Sequence, residues 1–149
     1  MTPIRRRLTD SSGFTLIELL VVILILGILA SIGLAAFLHQ RAKSEDAAAK
    51  VYATTAAKAM IVWHTDHGDY AAATAVDLQQ IEPALHGASG LTITSDATSF
   101  TVAVNSNAGA DGGGTFTLEH TDDGTVTRTC TNAGKGGCAA TPDSRGNSW

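Results

Sequence analysis

Four groups of residues in this 149-residue chain have types and spacing that could do chemistry. The first is Glu18, at the edge of a long apolar run. An ionisable group at the middle of a membrane span costs about 2.5–3.5 kcal/mol. A carboxylate at the margin either reaches the interface or needs a cationic partner in apolar surroundings. No Lys or Arg lies between Leu19 and Leu38 to supply one. A free amine on Phe14 would, if the chain were cut after Gly13. The second group is His64 and His67, at i and i+3 with Asp66 and Asp69 beside them. Two-histidine helical zinc motifs carry a further ligand and a base, and neither is evident. The expectation is a solvated helix end with histidines near its negative pole. The third is Asp111, Asp122 and Asp123 in Gly-rich turns. Their oxygens suit Ca2+, but EF-hand spacing is absent, so solvated turns are expected and Ca2+ is the lesser reading. The fourth is Cys130 and Cys138, which enclose TNAGKGG and either bridge or stay free. Two cysteines are too few for a disulfide scaffold or a four-cysteine zinc site. With no nucleophile elbow, phosphate loop or paired carboxylates, neither an enzyme nor a cofactor is expected.

These residues must be carried by a small number of elements. The length fits one domain at most. With 14 acidic and 10 basic residues the net charge is −4, which does not indicate DNA binding. Mean hydropathy is nevertheless positive, at +0.12, and one segment accounts for it. Leu19 to Leu38 is uncharged; as a helix its 20 residues reach roughly 30 Å, the thickness of a bilayer's hydrocarbon. The run exceeds the apolar core of an ordinary secretory signal. The rest of the chain is too poor in large apolar residues to enclose it, so a membrane span is the reading. Arg5, Arg6 and Arg7 precede the span, while Arg41, Lys43, Lys50 and Lys58 follow it. Charge alone leans toward an N-terminus inside.

The segment Gly13-Phe14-Thr15-Leu16-Ile17-Glu18, followed by the apolar run and preceded by a short basic stretch, resembles the type IV prepilin N-terminus. The resemblance runs without a gap from Gly13 to about Leu34. It implies that residues 1–13 are a leader removed by a membrane prepilin peptidase. The cut would fall between Gly13 and Phe14, and Phe14 would become N-methylphenylalanine. Glu18 would be the fifth mature residue, the family's glutamate, acting in assembly as a charge register. The resemblance also implies an N-in orientation. Where many members carry a helix-kinking proline this chain has Ala35, and Gly33 could weaken the helix there instead.

Beyond Leu38 no proline or glycine stops the helix before Gly68, a suitable left-handed end. A helix from about Phe14 to Asp66 would be roughly 80 Å long. Residues 14–38 would form its membrane and filament-core part, and 39–68 an amphipathic continuation. Ala49, Tyr52, Ala56, Ala59, Met60 and Trp63 form one face of that continuation. Lys43, Lys50, Thr54 and Lys58 form another. HGDY is similar to the Gly-x-Tyr turn after the long helix in many pilins and pseudopilins, which implies that Tyr70 packs on the head. Val76, Leu78, Ile81 and Leu85 predict a short helix interrupted at Pro83. The period then changes to two around Leu91, Phe100, Phe116 and Val126, with Asp122-Asp123-Gly124 as a hairpin turn. The fold class is therefore α+β: one long helix packed on an antiparallel sheet of three to four strands, residues 69–149 being the head. From Tyr70 on there are only about 14 large apolar residues, so the sheet needs the helix as its second layer. A bridge between Cys130 and Cys138 would help, because an exported head meets conditions in which disulfides persist. A C-terminal cystine loop also resembles that of many type IV pilins.

The function that the resemblance implies is a structural pilin of a type IV pilus. The mature chain would wait in the cytoplasmic membrane and then polymerise into a helical surface filament. The implied partners are copies of itself, the prepilin peptidase, and an assembly ATPase with its platform. The alternatives are a pseudopilin of a type II secretion system, or a minor pilin of a DNA-uptake pilus. From another class, the chain would be a membrane-anchored ligand-binding module.

Overall fold

A computed structural model describes residues 13–149. Of the expected leader, residues 1–13, all but Gly13, including the arginine cluster, lies outside the described residues. The chain divides into two units, one ending at Ala36 and the other Phe37–Trp149. Helix α1, Leu16–His67, begins in the first and ends in the second.

In the first unit α1 passes through Gly27 and Gly33 without interruption. Its large apolar side chains, from Leu16 to Leu34, are all exposed. The helix is long and apolar enough to cross a membrane. A surface so greasy on every side is stable in lipid or against other helices, not in water. Ser31, a polar side chain within the run, donates its hydroxyl to the Ile28 carbonyl at 2.7 Å, which satisfies it within the helix.

In the second unit the character of α1 changes. Ala42, Asp46, Ala49, Ala53, Ala56 and Met60 are buried in alternating steps of four and three residues, and Trp63 continues the stripe half-buried. Such spacing keeps one face of a helix turned to a partner. The stripe is mostly alanine, which lets a sheet approach closely. α1 ends as predicted: Gly68 takes φ +86° and its N–H donates to the His64 carbonyl at 2.8 Å.

The partner is a four-stranded antiparallel meander of β1 (Thr92–Ser95), β2 (Phe100–Asn105), β3 (Thr115–His120) and β4 (Val126–Cys130), ordered β1-β2-β3-β4. Phe100, Val102 and Val104 of β2 are buried, as are Phe116 and Leu118 of β3, and the intervening threonines face outward. Register places Val102 opposite Leu118 and Val104 opposite Phe116, so the buried residues share one face. That face, the alanine stripe from Ala49 onward, Leu78, Leu85 and Tyr70 form a single core. Tyr70 sits 4.9 Å from the Phe100 ring, as the HGDY turn implies.

The predicted short helix is α2, Ala75–Ile81, with a 3-10 turn at Pro83–Gly87. Thr74 and Asp77 form a capping box at its start. Leu78 and Leu85 are buried, but Val76 is 61% exposed; at two residues before Leu78 it falls on the far side of so short a helix. A second departure concerns Lys50. Its Nζ lies over the Phe116 ring at 5.3 Å and donates to the Gly137 carbonyl at 2.5 Å. The side chain is turned onto the head because it stands one turn beyond Asp46, where two loops close on α1.

Candidate functional site

Gly13, Phe14 and Thr15 precede α1 in irregular backbone. The helix starts where it does because Thr15 and Glu18 build a reciprocal cap. The Glu18 N–H donates to Thr15 Oγ1 at 3.2 Å, and the Thr15 N–H donates to Glu18 Oε2 at 3.1 Å. The Thr15 hydroxyl donates to the same oxygen at 2.9 Å. Two donors that the helix cannot use are thereby satisfied. Glu18 is thus held in the first turn, within a few residues of the Gly13–Phe14 bond. Thr15 was missed by the sequence reading, although T-x-x-E before an apolar run is a helix-start signature. A Cβ added at Gly13 would meet nothing within 4 Å. The chain's own fold therefore makes no demand for glycine there.

The head carries a second construction. Asp46 is fully buried. Its Oδ2 accepts the Gly113 N–H at 2.8 Å and the Gly137 N–H at 2.7 Å, while Oδ1 is buried without a partner. One carboxylate on α1 therefore ties down both the loop between β2 and β3 and the loop after β4. A Cβ at Gly112, Gly136 or Gly137 would collide with Asp46, Lys50 or neighbouring atoms, so these glycines admit the close approach. Cys130 and Cys138 are joined, with Cα atoms 5.8 Å apart. Asn132 Nδ2 donates to the Gly112 carbonyl at 3.0 Å, and Lys135 Nζ to the Ala110 carbonyl at 3.0 Å. The signal for Asp46 was its position, an acid on the same register as Ala42 and Ala49.

The chain end completes this side of the sheet. The Ser148 N–H donates to the Arg128 carbonyl at 2.7 Å and the Ala139 N–H to the Ser148 carbonyl at 2.8 Å. The Trp149 indole N–H donates to the Thr129 carbonyl at 2.7 Å. The last residues thus pair with β4 and cover part of its edge, where unpaired strand groups would otherwise invite association.

The remaining candidates are placed apart. His67 stacks on Trp63 with ring centroids 3.6 Å apart, and His64 lies 4.6 Å from the Tyr70 ring. Asp111 precedes β3, while Asp122 and Asp123 follow it, so a whole strand separates them. Among the described residues no three His, Cys, Asp or Glu side chains gather so as to hold a metal. Asp123 is instead a turn former. It accepts the Thr121 hydroxyl and the Thr125 N–H, the latter at 2.8 Å. These bonds, the Thr121 hydroxyl first, hold its pKa down to about 2. The Asn147 N–H, the Asn147 side chain and the Arg145 N–H lower that of Asp143 in the same way.

Comparison with known families agrees with the geometry at the helix start. No curated protein matches the chain. Residues 8–34 match the family model described as the prokaryotic N-terminal methylation motif. This region contains Gly13, Phe14, the Thr15–Glu18 cap and the exposed apolar part of α1. The chain thus combines the N-terminal hallmark of type IV pilin and pseudopilin precursors with the pilin fold, one long helix packed on a four-stranded antiparallel sheet.

Proposed function

We propose that this chain is a structural subunit of a type IV pilus. A prepilin peptidase cuts it between Gly13 and Phe14 and methylates Phe14, and the mature subunits polymerise through their N-terminal helices. The observation that carries the reading is the capped, exposed apolar start of α1 inside the matched motif. An uncovered surface of that kind has two stable environments, lipid and a bundle of like helices. The precursor is accordingly anchored in the cytoplasmic membrane with its head exported, and the filament takes over the apolar surface when the subunit leaves the bilayer. The assembly ATPase and platform supply the work of extraction. The Cys130–Cys138 bridge suits a head that matures in an oxidising compartment. Mass spectrometry of sheared surface filaments tests the reading. The expected subunit begins at Phe14 and carries one added methyl group. An N-terminus at Met1 in surface protein, or filaments without this chain, would reject it.

A further inference from the structure

Beside the end of α1 lies a groove of about 420 Å³ lined by Trp63, Asp66, His67, Asp77, Gln80 and Ile81. The stacked Trp63 and His67 rings form one wall, and two carboxylates, Asp66 and Asp77, stand at its rim. Asp77 commits Oδ2 to the cap of α2, and Asp66 is exposed. Two acids beside aromatic rings favour a cation with an apolar stem, because the head group pairs with the carboxylates while the methylenes cover the rings.

The chain carries a matching surface on another part of α1. Lys58 is exposed, and Val51 and Ile61, 62% and 53% exposed, stand near it. At 100° per residue, Lys58 and Ile61 point about 140° and about 160° away from Trp63. They face the opposite side of the helix and cannot reach the groove of their own subunit. Among the described residues the other cations are engaged or misplaced, Arg145 standing beside the Asp143 carboxylate. Lys50 and Lys135 are held by the Gly137 and Ala110 carbonyls, and Arg128 lies over the Trp149 ring. Arg41 falls on the groove's own side of α1, and Lys43 has no comparable apolar companions.

We propose that the groove receives Lys58 of a second copy of this chain, with Ile61 and Val51 of that copy covering Trp63 and Ile81. Lys58 and Asp66 are eight residues apart on one helix, so parallel copies make this contact when offset by about 12 Å along the axis. The two surfaces differ: Lys58 points about 140° from Trp63, with Asp66 between them at about 80° from Lys58. The contact is therefore heterologous and leaves a free groove and a free Lys58 on each new pair, the condition for open-ended growth. This inference rests on the filament reading and specifies one lateral contact within it.

The test is a charge exchange scored on sheared filaments, with membrane level, Phe14 processing and the Cys130–Cys138 bridge as controls for folding. Lys58→Asp and Asp66→Lys should each lower filament yield by about tenfold or more, through like-charge contact. The double exchange should restore it to within about threefold. In a Lys58→Cys/Asp66→Cys variant, a short bismaleimide should link subunits of intact filaments into a ladder, because the contact is open-ended. Wild-type yield in both single variants, no rescue by the exchange, or links confined to dimers would overturn the contact while leaving the filament reading standing. Absence of wild-type filaments containing this chain would overturn both.

Discussion

Asp46 and Gly137, 91 positions apart, meet at 2.7 Å, the Gly137 N–H donating to the Asp46 carboxylate. The same oxygen takes the Gly113 N–H, so one side chain on α1 sets where two loops of the head can lie. Hydrogen bonds to a charged group contribute about 1.5–3 kcal/mol each, and an amide left buried without a partner costs about 1–3 kcal/mol. Asp46→Ala should therefore destabilise the protein by about 3 kcal/mol. Asp46→Asn, which keeps an acceptor, should cost about half as much. Thermal unfolding of detergent-solubilised full-length protein measures both, and equal losses in the two variants would contradict the role given to the carboxylate oxygen.

The cystine lies on the same loop. Its two half-cystines are eight residues apart, and the chain-entropy model assigns so short a closure roughly 2.5 kcal/mol. Cys130→Ser should lower head stability and filament yield without slowing leader removal. Because Gly137 adjoins Cys138, Cys130→Ser and Asp46→Ala should be less than additive. Full alkylation of both cysteines in native, unreduced filaments would show that the bridge does not form.

At Gly13 the proposed processing can be tested apart from the fold. Space around this residue is open, so Gly13→Val should insert and fold as wild type. It should nevertheless remain uncleaved if the peptidase is what requires a small residue. Gly13→Ala should be processed. Immunoblots that resolve precursor from mature protein decide the matter, and normal cleavage of the valine variant would count against the assigned site.

Glu18 has two separable properties, its place in the Thr15 cap and its charge. On the proposed reading, cleavage after Gly13 would free a Phe14 amine that stays positive after methylation. In a helix bundle that amine and the Glu18 carboxylate of a neighbour are each expensive alone and neutralise one another together. Glu18→Gln preserves a capping-box residue and deletes the charge. Glu18→Ala deletes both. Both variants should show normal membrane levels and near-normal leader cleavage, with few or no filaments. Wild-type filament abundance in Glu18→Gln cells, counted by electron microscopy, would leave the cap and not the charge as the assembly requirement.

The β3–β4 turn should respond to acid in a set direction. Asp123 has its pKa lowered to about 2 by the Thr121 hydroxyl and the Thr125 N–H, below the ordinary value near 3.9. A carboxylate with a lowered folded-state pKa adds stability that is present above the unfolded value and lost as pH falls through the folded one. The turn should be unchanged from pH 7 to about 4 and loosen between about 4 and 2. Amide NMR of Thr125 reports this, and Asp123→Asn should flatten the profile. The effect on global stability should be small because the group is exposed.

What could be read from the residues in order was governed by local pattern, although the T-x-x-E cap of Thr15 and Glu18, itself local, was not among it. An uncharged 20-residue run predicts its own helix. Alternation of threonine with Phe100, Val102, Val104, Phe116 and Leu118 predicts strands with one wet face. Gly68 and Gly124 mark ends and turns because their backbone angles are open to glycine. What only tertiary structure decided were relations between distant residues. Asp46 resembles any acid beside Glu45 until the Gly113 and Gly137 amides close on it. Lys50 reads as a solvated lysine until Phe116 and Gly137 arrive beneath it, and Val76 reads as a core residue until α2 proves too short to bury both of its sides. The physical reason is the same for Asp46 and Lys50. Helix and strand periods are properties of neighbouring residues, whereas the cost of burying a carboxylate or an ammonium depends on which donors and acceptors the fold brings to it from elsewhere in the chain.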